Sequence, residues 1–386
     1  MKKLAIVTTH PIQYYAPWFK LIAERGHLDV KVFYTWSQAS EAVKDKTFGK
    51  TIKWDIPLLE GYNFEFVENV STDPGTHHKN GIDCPTLNER IRLWQPDTVL
   101  IFGWYLKSHL KAMKFFKGKI PVWFRGDSTL LDDVPGIKQV LRKYYLTYIY
   151  RYIDKAFYVG MQNKAYFKSV GLKDEQLILA PHAIDNERFF DAVDKDYESQ
   201  ALNWRKELGY NNDDIVVLFA GKFESKKQPD FLLKAIQKVN EERTQPLKLL
   251  LVGHGPLEED LQLLSKADVN IKMIPFQNQS KMPILYRLGN VFCLPSKGPG
   301  ETWGLAVNEA MASSRAIIVA DKVGGASDML IEGYNGYCFR HDSQKELINI
   351  LRALTITSLQ QMGVHSKAHV NKFTMLNIVE AIENEI

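Results

Sequence analysis

Cysteine is scarce in this sequence, and its few positions form neither a disulfide pattern nor a metal-binding pattern. The chain of 386 residues has three cysteines, Cys84, Cys293 and Cys338, which are odd in number and far apart. Disulfide-dependent secreted domains carry dense, paired cysteines, so we expect a reducing, cytoplasmic environment. The chain also lacks the C-x-x-C and H-E-x-x-H motifs that are typical of zinc sites. We therefore expect no metal and no other cofactor.

Long apolar runs and glycine-rich nucleotide loops are also missing. No stretch reaches the roughly 20 apolar residues that a membrane-spanning helix needs. The N-terminal apolar run, residues 4–7, is too short for a signal peptide and predicts a strand instead. The turn after that strand contains no glycine, which disfavours a nicotinamide dinucleotide fold. The net charge of +4 is mild and does not by itself imply nucleic-acid binding.

The sequence does contain short, continuously apolar segments that alternate with amphipathic ones. Continuous apolar runs of this length are typical of parallel strands buried on both faces, and the amphipathic segments predict the helices between them. The chain is too long for one core and has the length of two ordinary α/β domains. The predicted strands are residues 4–8, 30–34, 98–102, 121–125, 215–220, 249–252, 271–275, 291–294 and 316–320.

Residues 295–328, which follow the predicted strand at residues 291–294, form the most informative stretch, because they predict a loop, a helix and a second strand. This order places the loop and the helix N-terminus at the carboxyl edge of a parallel sheet, where ligands bind in open α/β folds. A helix N-terminus attracts phosphate. Glu301 precedes the helix and Glu309 lies within it, and carboxylates accept hydrogen bonds from sugar hydroxyls. The arrangement suits a nucleotide-sugar; the alternative is a capping acid with a surface glutamate.

A second group of candidate residues follows the predicted strand at residues 215–220. The sequence there is Gly221-Lys222-Phe223-Glu224-Ser225-Lys226-Lys227, which would place two cations, Lys222 and Lys227, beside the same sheet edge. Positive charge at that place suits a diphosphate, whose charge grows as its bond to the sugar breaks. Gly253 follows another strand and permits a close approach of the backbone to a nucleotide. The alternative for the lysines is a solvated surface cluster.

The segment E-T-W-G-L-A-V-N-E-A-M-A, with Glu301 and Glu309 at its two acidic positions, resembles the E-x7-E signature of the retaining glycosyltransferases of family 4. The V-G-G of residues 323–325 and the Y-N-G-Y-C-F of residues 334–339 are also similar to that family. The resemblance implies that Glu301 contacts the transferred sugar and Glu309 holds the ribose. The backbone amides of Trp303, Gly304 and Leu305 would contact the diphosphate, and Gly221, Lys222, Lys227 and Gly253 would complete the donor site.

The resemblance implies a GT-B fold, in which two Rossmann-like doubly wound domains face each other across a cleft. We expect an acceptor-binding domain at residues 1–190, a nucleotide-sugar-binding domain at 200–370, and a C-terminal helix at 371–386 that crosses back to the first domain. The implied activity is metal-independent transfer of a sugar from a nucleotide-sugar, a UDP-sugar or a GDP-sugar, to a glycan or a lipid-linked acceptor. The transfer retains the anomeric configuration and serves polysaccharide or glycolipid assembly. The alternatives are a nucleotide-sugar epimerase of the same fold and an inactive nucleotide-binding protein.

Sequence similarity to the family is weaker in the first half of the chain. Asp127 follows the predicted strand at residues 121–125, where family members place a catalytic or substrate-positioning residue, and its alternative role is turn formation. The loop after the first strand implies acceptor-binding roles for His10, Gln13 and Tyr14, although His10 is equally suited to cap the following helix. Three positions depart from the family pattern, which has glycine at the places of Gln228 and Ser314 and proline at the place of Ala316.

A segment rich in tyrosine and basic residues, residues 137–152, predicts a helix with two interpretations. The first is a packed surface helix whose cations extend to solvent. The second is contact with an anionic membrane, together with the neighbouring Lys107, Lys111, Lys114, Lys117 and Lys119. Elsewhere, residues 38–53 predict a loop and residues 190–199 a linker. That linker carries the D-x-D of residues 194–196, which is weak evidence for a metal because it does not end a strand.

Overall fold

The computed structural model describes residues 1–39, 43–45, 50–52 and 55–386, which form two compact units. Unit 1 comprises the described residues of Met1–Asp45, Lys50–His182 and Met375–Ile386, and unit 2 comprises Ala183–Thr374. The loop predicted at residues 38–53 lies in part outside the described residues, and its described part departs from the prediction, because Val43–Asp45 and Lys50–Ile52 pair as two short antiparallel strands. Each unit is an α/β domain, and the prediction of two Rossmann-like units is confirmed.

The strands are short and mostly buried. In chain order they are β1 (Lys2–Thr8), β2 (Leu28–Tyr34), β3 (Val43–Asp45), β4 (Lys50–Ile52), β5 (Asn63–Phe66), β6 (Thr98–Phe102), β7 (Val122–Arg125), β8 (Lys155–Tyr158), β9 (Leu177–Leu179), β10 (Val216–Ala220), β11 (Lys248–Val252), β12 (Ile271–Ile274), β13 (Val291–Leu294), β14 (Ala316–Ala320) and β15 (Gly336–Phe339).

The helices separate most of these strands. They are α1 (Ala16–Arg25), α2 (Leu87–Trp94), α3 (Lys107–Phe116), α4 (Ile137–Tyr150), α5 (Met161–Ser169), α6 (Asn186–Phe189), α7 (Tyr197–Glu207), α8 (Pro229–Asn240), α9 (Glu258–Ser265), α10 (Met282–Leu288), α11 (Leu305–Ala312), α12 (Ala326–Met329), α13 (Gln344–Arg352), α14 (Ile356–Val370) and α15 (Met375–Glu383).

Each unit is built on one parallel sheet. The sheet of unit 1 has the order β5-β2-β1-β6-β7-β8-β9, and the sheet of unit 2 has the order β12-β11-β10-β13-β14-β15. In both units the strand order reverses beside the first strand of the sheet, β1 or β10. Ligands bind at such reversals in doubly wound folds, outside the carboxyl ends of the strands. The topology therefore directs attention to the loops after β1, β6 and β7 in unit 1 and after β10, β11 and β13 in unit 2.

Local sequence explains where several helices begin and end. Pro17 lies in the first turn of α1, and the helix ends at Gly26, whose φ of 65° is left-handed and suits glycine. Pro229 opens α8 in the same way.

The predicted linker at residues 190–199 is wrong at its C-terminal end, because α7 already begins at Tyr197. The Asp191 carboxylate accepts hydrogen bonds from the backbone amides of Tyr197 and Glu198 and so stabilises that start.

The last helix, α15, belongs to unit 1 although the chain reaches it through unit 2. Arg25 donates two hydrogen bonds from Nε and Nη2 to the Glu383 carboxylate, at 3.0 and 2.9 Å. The pKa of Glu383 is lowered, because hydrogen bonds from Arg25 and His27 outweigh the effect of its burial. Lys155 at the start of β8 also pairs with Glu385. The C-terminal segment is thereby fixed to both α1 and the central sheet of unit 1.

The cysteines and the helices add two further observations. Cys84, Cys293 and Cys338 form no disulfide, and burial raises the pKa of the Cys84 thiol to about 12 and that of Cys338 to about 11. Among the described residues, every helix is too short or too polar to cross a lipid bilayer.

Candidate donor and acceptor sites

Three loops converge at the carboxyl edge of the sheet of unit 2, after the neighbouring strands β10, β13 and β14. The Lys297 amide, after β13, donates to the Lys226 carbonyl, after β10, at 2.9 Å. The Gly324 and Gly325 amides, after β14, donate to the carbonyls of Glu301 and Trp303 at 2.8 and 2.9 Å. The loop that carries Glu301 is therefore held on both sides by backbone hydrogen bonds.

Glu301 and Lys227 form the centre of this edge. The Lys227 ammonium contacts the Glu301 carboxylate directly, and the Ser296 hydroxyl donates to the same oxygen, Oε2, at 2.8 Å. The Lys227 and Glu301 side chains are 22% and 11% exposed, so the pair is partly shielded from water yet accessible. An ammonium carries three donors, so Lys227 can hold Glu301 and a phosphate oxygen at the same time. Sequence reasoning had not identified Ser296.

Glu309 occupies a different environment from Glu301. It is 2% exposed, and its Oε2 accepts a hydrogen bond of 2.7 Å from the Tyr286 hydroxyl of α10. The alternative that Glu309 is a surface glutamate is wrong. A buried carboxylate is costly unless it is hydrogen-bonded, which argues that this position has a specific purpose. Sequence reasoning missed Tyr286, because it lies 23 residues away in the chain and only the packing of α10 against α11 brings it close.

The segment Trp303, Gly304 and Leu305 forms the beginning of α11. Gly304 has a φ of 94°, and a Cβ there would lie 2.8 Å from Val323 Cγ1, so both the backbone and the space require glycine. Trp303 is buried and donates from Nε1 to the Asn308 side chain at 2.7 Å. The first backbone amides of α11 therefore lie directly after Glu301, at the same sheet edge.

Gly221, Lys222 and Gly253 lie on the adjacent loops after β10 and β11. Gly253 has a φ of 154°, and a Cβ there would lie 1.9 Å from the Gly221 carbonyl oxygen, so the two loops touch through their backbones. Lys222 follows Gly221 directly and is half-buried. The donor-site residues predicted from the sequence thus lie on the loops of one sheet edge, except Leu305 and Glu309, which lie in α11, and their roles toward a ligand stay predictions.

Two departures from the family pattern have a structural explanation. Gln228 and Ser314 have φ angles of 52° and 58°, which is the left-handed region that favours glycine. Ser314 follows α11, and its amide still donates to the Met311 carbonyl at 2.9 Å. This chain therefore adopts the backbone that the family builds with glycine, at some conformational cost.

In unit 1, a cavity of about 200 Å³ lies at the carboxyl ends of β1, β6 and β7. Asp127 and His182 face each other there, with Asp127 Oδ2 and His182 Nε2 3.7 Å apart. The rings of Tyr15 and His182 are nearly parallel, and their centroids are 6.5 Å apart. The cavity is lined by Thr8, Thr9, Ile12, Tyr15, Phe102, Gly103, Arg125, Gly126, Asp127, Val159 and His182.

Arg125 explains why His182 lies opposite Asp127. The Arg125 side chain is buried and donates to the carbonyls of Ala180 and Pro181 at 2.8 and 3.2 Å. It therefore anchors the segment just before His182 to the end of β7. Burial lowers the pKa of His182, while the nearby Asp127 carboxylate acts in the opposite direction. Sequence reasoning missed His182, because it lies far from Asp127 in the chain and only the fold brings the two side chains close.

The three candidate acceptor residues, His10, Gln13 and Tyr14, are close in sequence to residues that line this cavity. They are not themselves among its lining residues. His10 Nδ1 lies 3.0 Å from the Thr9 hydroxyl, and its ring contacts Trp36 edge-on at 5.1 Å. His10 does not cap α1, because that helix begins after Tyr15 and has no side-chain cap. Gln13 and Tyr14 form part of the turn between β1 and α1 and are half-buried. Tyr15, Thr8 and Thr9 reach the cavity instead.

Comparison with known proteins places a family match in unit 2. Residues 200–361 match the family model described as "Glycosyl transferases group 1". A D-inositol 3-phosphate glycosyltransferase of Nocardia farcinica is 28% identical over 190 residues, which are 46% of this chain and 41% of that protein. A phosphatidyl-myo-inositol mannosyltransferase of Mycobacterium tuberculosis is 30% identical over 114 residues, 29% of this chain and 30% of that protein. The chain thus spans less than half the length of these curated relatives.

Solved structures match the chain over its full length. Anabaena HepE in complex with UDP and glucose has a TM-score of 0.71 at 16% identity and covers 100% of this chain and 99% of its own. WaaG, a glycosyltransferase involved in lipopolysaccharide biosynthesis, has a TM-score of 0.67 at 14% identity and covers 99% of both chains. At these identities the likeness establishes the fold. The chain therefore has the GT-B fold, and its residues 200–361 match the family model of the group 1 glycosyl transferases.

Proposed function

We propose that the protein is a retaining glycosyltransferase that moves a sugar from a nucleotide-sugar to a glycan or lipid-linked acceptor. The observation that carries this proposal is the group formed by Lys227, Glu301 and Ser296 at the start of α11. It combines positive charge, a helix N-terminus and a carboxylate, which are the features needed to hold a diphosphate beside a sugar. The family match at residues 200–361 supports the same activity.

The donor is proposed to extend from Glu301 to Glu309. The Glu301 carboxylate accepts hydrogen bonds from the transferred sugar, and the backbone amides of Trp303, Gly304 and Leu305 face the diphosphate. Glu309 accepts the ribose hydroxyls, and the Tyr286 hydrogen bond fixes the orientation of its carboxylate. A carboxylate has about four lone-pair sites, so one bond from Tyr286 leaves capacity for a ribose.

The proposed reaction breaks the bond between the sugar C1 and the phosphate oxygen and forms a bond from C1 to the acceptor oxygen on the same face. The acceptor proton moves to the leaving phosphate oxygen, so no separate base is needed. Negative charge on the diphosphate increases during this step, and Lys222, Lys227 and the start of α11 stabilise it. The lysines perform the task that a divalent metal performs in other transferases, so we propose a metal-independent reaction.

The acceptor is proposed to enter at the cavity of unit 1. Asp127 is half-exposed and accepts a hydroxyl hydrogen bond, while the neutral His182 orients the Asp127 carboxylate. His10, Gln13 and Tyr14 remain candidates for contacts with more distant parts of the acceptor. We assign Tyr15 and Thr9, which line the cavity, to the first contacts.

A lipid-linked acceptor is favoured by the surface of α4. Six large apolar side chains of this helix are exposed to solvent. Removing such apolar surface from water is favourable, so their exposure suggests a contact with another apolar surface. The six side chains are Ile137, Val140, Leu141, Tyr144, Tyr145 and Tyr148. The interpretation as a packed surface helix holds only for its last part, where Leu146, Ile149 and Tyr150 are buried. Lys138, Arg142 and Lys143 lie among the exposed residues, a combination that suits the anionic inner face of a membrane.

The function can be tested with a panel of UDP-, GDP- and ADP-sugars. A donor that binds raises the melting temperature by mass action, and radiolabelled donor then reports transfer to extracted glycans and lipids. The anomeric configuration of the product, read by NMR, tests retention. Release of an isomerised sugar without any acceptor would instead identify an epimerase, and binding without turnover would identify an inactive protein.

Chelation tests the metal-independent step separately. Transfer is expected to continue at an unchanged rate after treatment with EDTA. Loss of activity that Mn²⁺ restores would contradict the role assigned to Lys222 and Lys227.

A further inference from the structure

The loop between β5 and α2 brings two histidines and an aspartate together on unit 1. His77 Nε2 lies 2.9 Å from Asp73 Oδ2, and His78 Nε2 lies 3.4 Å from the same oxygen. The three ligand atoms all lie within 4.8 Å of one another. In the described part of the chain, no other three side chains of His, Cys, Asp or Glu converge in this way.

The three ligand atoms are close enough together to surround one tetrahedral metal ion after small side-chain movements. Ligand atoms about 2.1 Å from a zinc ion in tetrahedral geometry lie about 3.4 Å from one another. Two imidazoles and one carboxylate are also a ligand set that zinc and similar divalent ions prefer over magnesium or calcium, which favour oxygen alone. His77 Nε2 pairs with the Asp73 carboxylate, and His78 Nε2 also lies 2.9 Å from the Asp73 backbone carbonyl oxygen, so an ion held by all three side chains would replace these two contacts.

The backbone of this loop is already held in place. The buried Asn69 donates from Nδ2 to the Gly81 carbonyl at 2.9 Å, and its Oδ1 accepts from the amides of Ser71 and Asp83 at 3.1 and 2.9 Å. The Gly75 amide donates to the Gly81 carbonyl at 3.1 Å, which closes the loop around the histidines. A preorganised loop loses little conformational freedom when an ion binds, so it favours binding.

Glycine is required at both ends of this closure. A Cβ at Gly81 would lie 2.2 Å from the Gly75 carbonyl oxygen, which is too close for any other residue. A Cβ at Gly75 would lie 2.7 Å from His77 Nδ1 and 3.8 Å from Trp36 Cζ2. The loop therefore lies against Trp36, whose ring in turn contacts His10.

We propose that Asp73, His77 and His78 bind one divalent transition-metal ion of the zinc class. The ligand atoms are Asp73 Oδ2, His77 Nε2 and His78 Nε2, and water completes the coordination. The ion cross-links Asp73 to the two histidines within this loop and stiffens the surface beside Trp36. The site is separate from the donor site, and it depends on none of the residues assigned to sugar transfer.

The test uses the full chain, produced without a histidine tag and freed of metal by chelation and dialysis. Titration calorimetry with ZnCl₂ is expected to show one ion per chain. His77→Ala and His78→Ala should each weaken binding by more than about tenfold, as loss of a ligand does. Binding of Co²⁺ should give the intense visible absorption of a tetrahedral nitrogen and oxygen site, and His78→Ala should abolish it.

His341→Ala is the matched control, because His341 also pairs with an aspartate, Asp321, at 2.8 Å but belongs to no group of three among the described residues. This variant should bind zinc like the parent. Circular dichroism checks that every variant is folded. Equal zinc affinity in the parent and in the His77→Ala/His78→Ala double variant would overturn the proposal, and so would the absence of binding by the folded parent. Neither outcome bears on sugar transfer.

Discussion

At the scale of single residues, the two glutamates of unit 2 are held by different partners. Glu301 is paired with Lys227 and Ser296 near the surface, whereas Glu309 is buried against Tyr286. An accessible carboxylate that is paired with an ammonium can exchange that partner for a ligand during a reaction. A buried carboxylate with a fixed partner serves better as a rigid contact.

Substitution should separate these two roles. Glu301→Gln is expected to lower turnover by about 100-fold with little change in nucleotide affinity, because a misplaced sugar reacts slowly. Glu309→Gln should weaken nucleotide binding by about tenfold or more, since a hydrogen bond to a charged group is lost. Steady-state kinetics and calorimetry with the nucleoside diphosphate measure the two effects.

Tyr286→Phe is the control for Glu309, because it removes the hydroxyl and keeps the carboxylate. It should weaken nucleotide binding less than Glu309→Gln does. If both glutamate variants transfer sugar at the rate of the parent, the assignment of the donor site is wrong.

The left-handed backbone of Ser314 gives a prediction about stability. Ser314→Gly should raise the free energy of unfolding by roughly 0.5–1 kcal/mol, because a φ of 58° is unfavourable for any residue with a Cβ and this gain exceeds the added freedom of the unfolded chain. Urea denaturation measures the change. The neighbouring Ser313 has a φ of −82°, so Ser313→Gly should lower stability instead. A loss of stability in Ser314→Gly would contradict this account.

Sequence reasoning at this scale identified residues that lie close together in the chain. Glu301, Trp303, Gly304 and Glu309 belong to one short segment, and their positions follow from a single strand, loop and helix. Asp127 and His182 lie far apart in the chain, and the pairing of β7, β8 and β9 together with the buried Arg125 brings them close. Tyr286 was missed for the same reason, since its role arises from packing between elements, whereas Ser296 lies in the same short segment as Glu301 and could have been identified from its position five residues before it.

At the scale of elements, α4 is the segment whose surface is least explained by the fold itself. Its first turns carry exposed apolar and basic residues, so its stability does not come from packing alone. Contact with a bilayer would bury this apolar surface and neutralise the positive charge.

Charge removal on α4 should reduce membrane binding. Lys138→Gln/Lys143→Gln is expected to weaken binding to phosphatidylglycerol vesicles by about 30-fold, since each lysine near an anionic surface contributes about 1 kcal/mol. Vesicle sedimentation measures the partition, and phosphatidylcholine vesicles should retain little of either protein. Lys266→Gln/Lys345→Gln makes the same charge change on exposed residues of unit 2 and should bind like the parent. Equal binding by both double variants would exclude α4 as the contact.

Most strands could be placed from the sequence because their apolar runs are continuous and end at turn residues. The strand predicted at residues 98–102 has the observed bounds, and the one at 215–220 begins one residue early. The exposed face of α4 could not be distinguished from a packed face, because apolar residues at helical spacing look the same in both cases. The start of α7 was missed because its capping residue, Asp191, lies outside the helix by several positions.

At the scale of the whole molecule, the two units differ in their buried histidines. His109 is fully buried in unit 1, with its ring nitrogens bonded to the Phe102 carbonyl and the Thr35 hydroxyl. Burial lowers the pKa of His109 to about 4, lowers that of the half-buried His10 to about 4, and also lowers that of His182. The described histidines of unit 2 are not buried.

Unit 1 should therefore lose stability in mild acid before unit 2. These histidines are neutral in the folded unit and protonate near pH 6.5 in the unfolded chain, so unfolding takes up protons between about pH 6.5 and 4. Calorimetry from pH 7 to 5 should show the transition of unit 1 moving to lower temperature. His109→Asn, which keeps a donor for Phe102, should reduce this slope. An unchanged slope in a folded His109→Asn protein would contradict the prediction.

The position of α15 has a consequence for how the protein is made. Because Met375–Ile386 complete unit 1 while Ala183–Thr374 form unit 2, translation delivers the whole of unit 2 before the last part of unit 1 leaves the ribosome. Until then, the surfaces of α1 and β8 that α15 covers in the folded protein remain exposed in the nascent N-terminal unit. Chaperones that recognise exposed apolar surface should consequently associate with unit 1 until the end of synthesis, and ribosome-bound chains stalled before residue 375 should show that association.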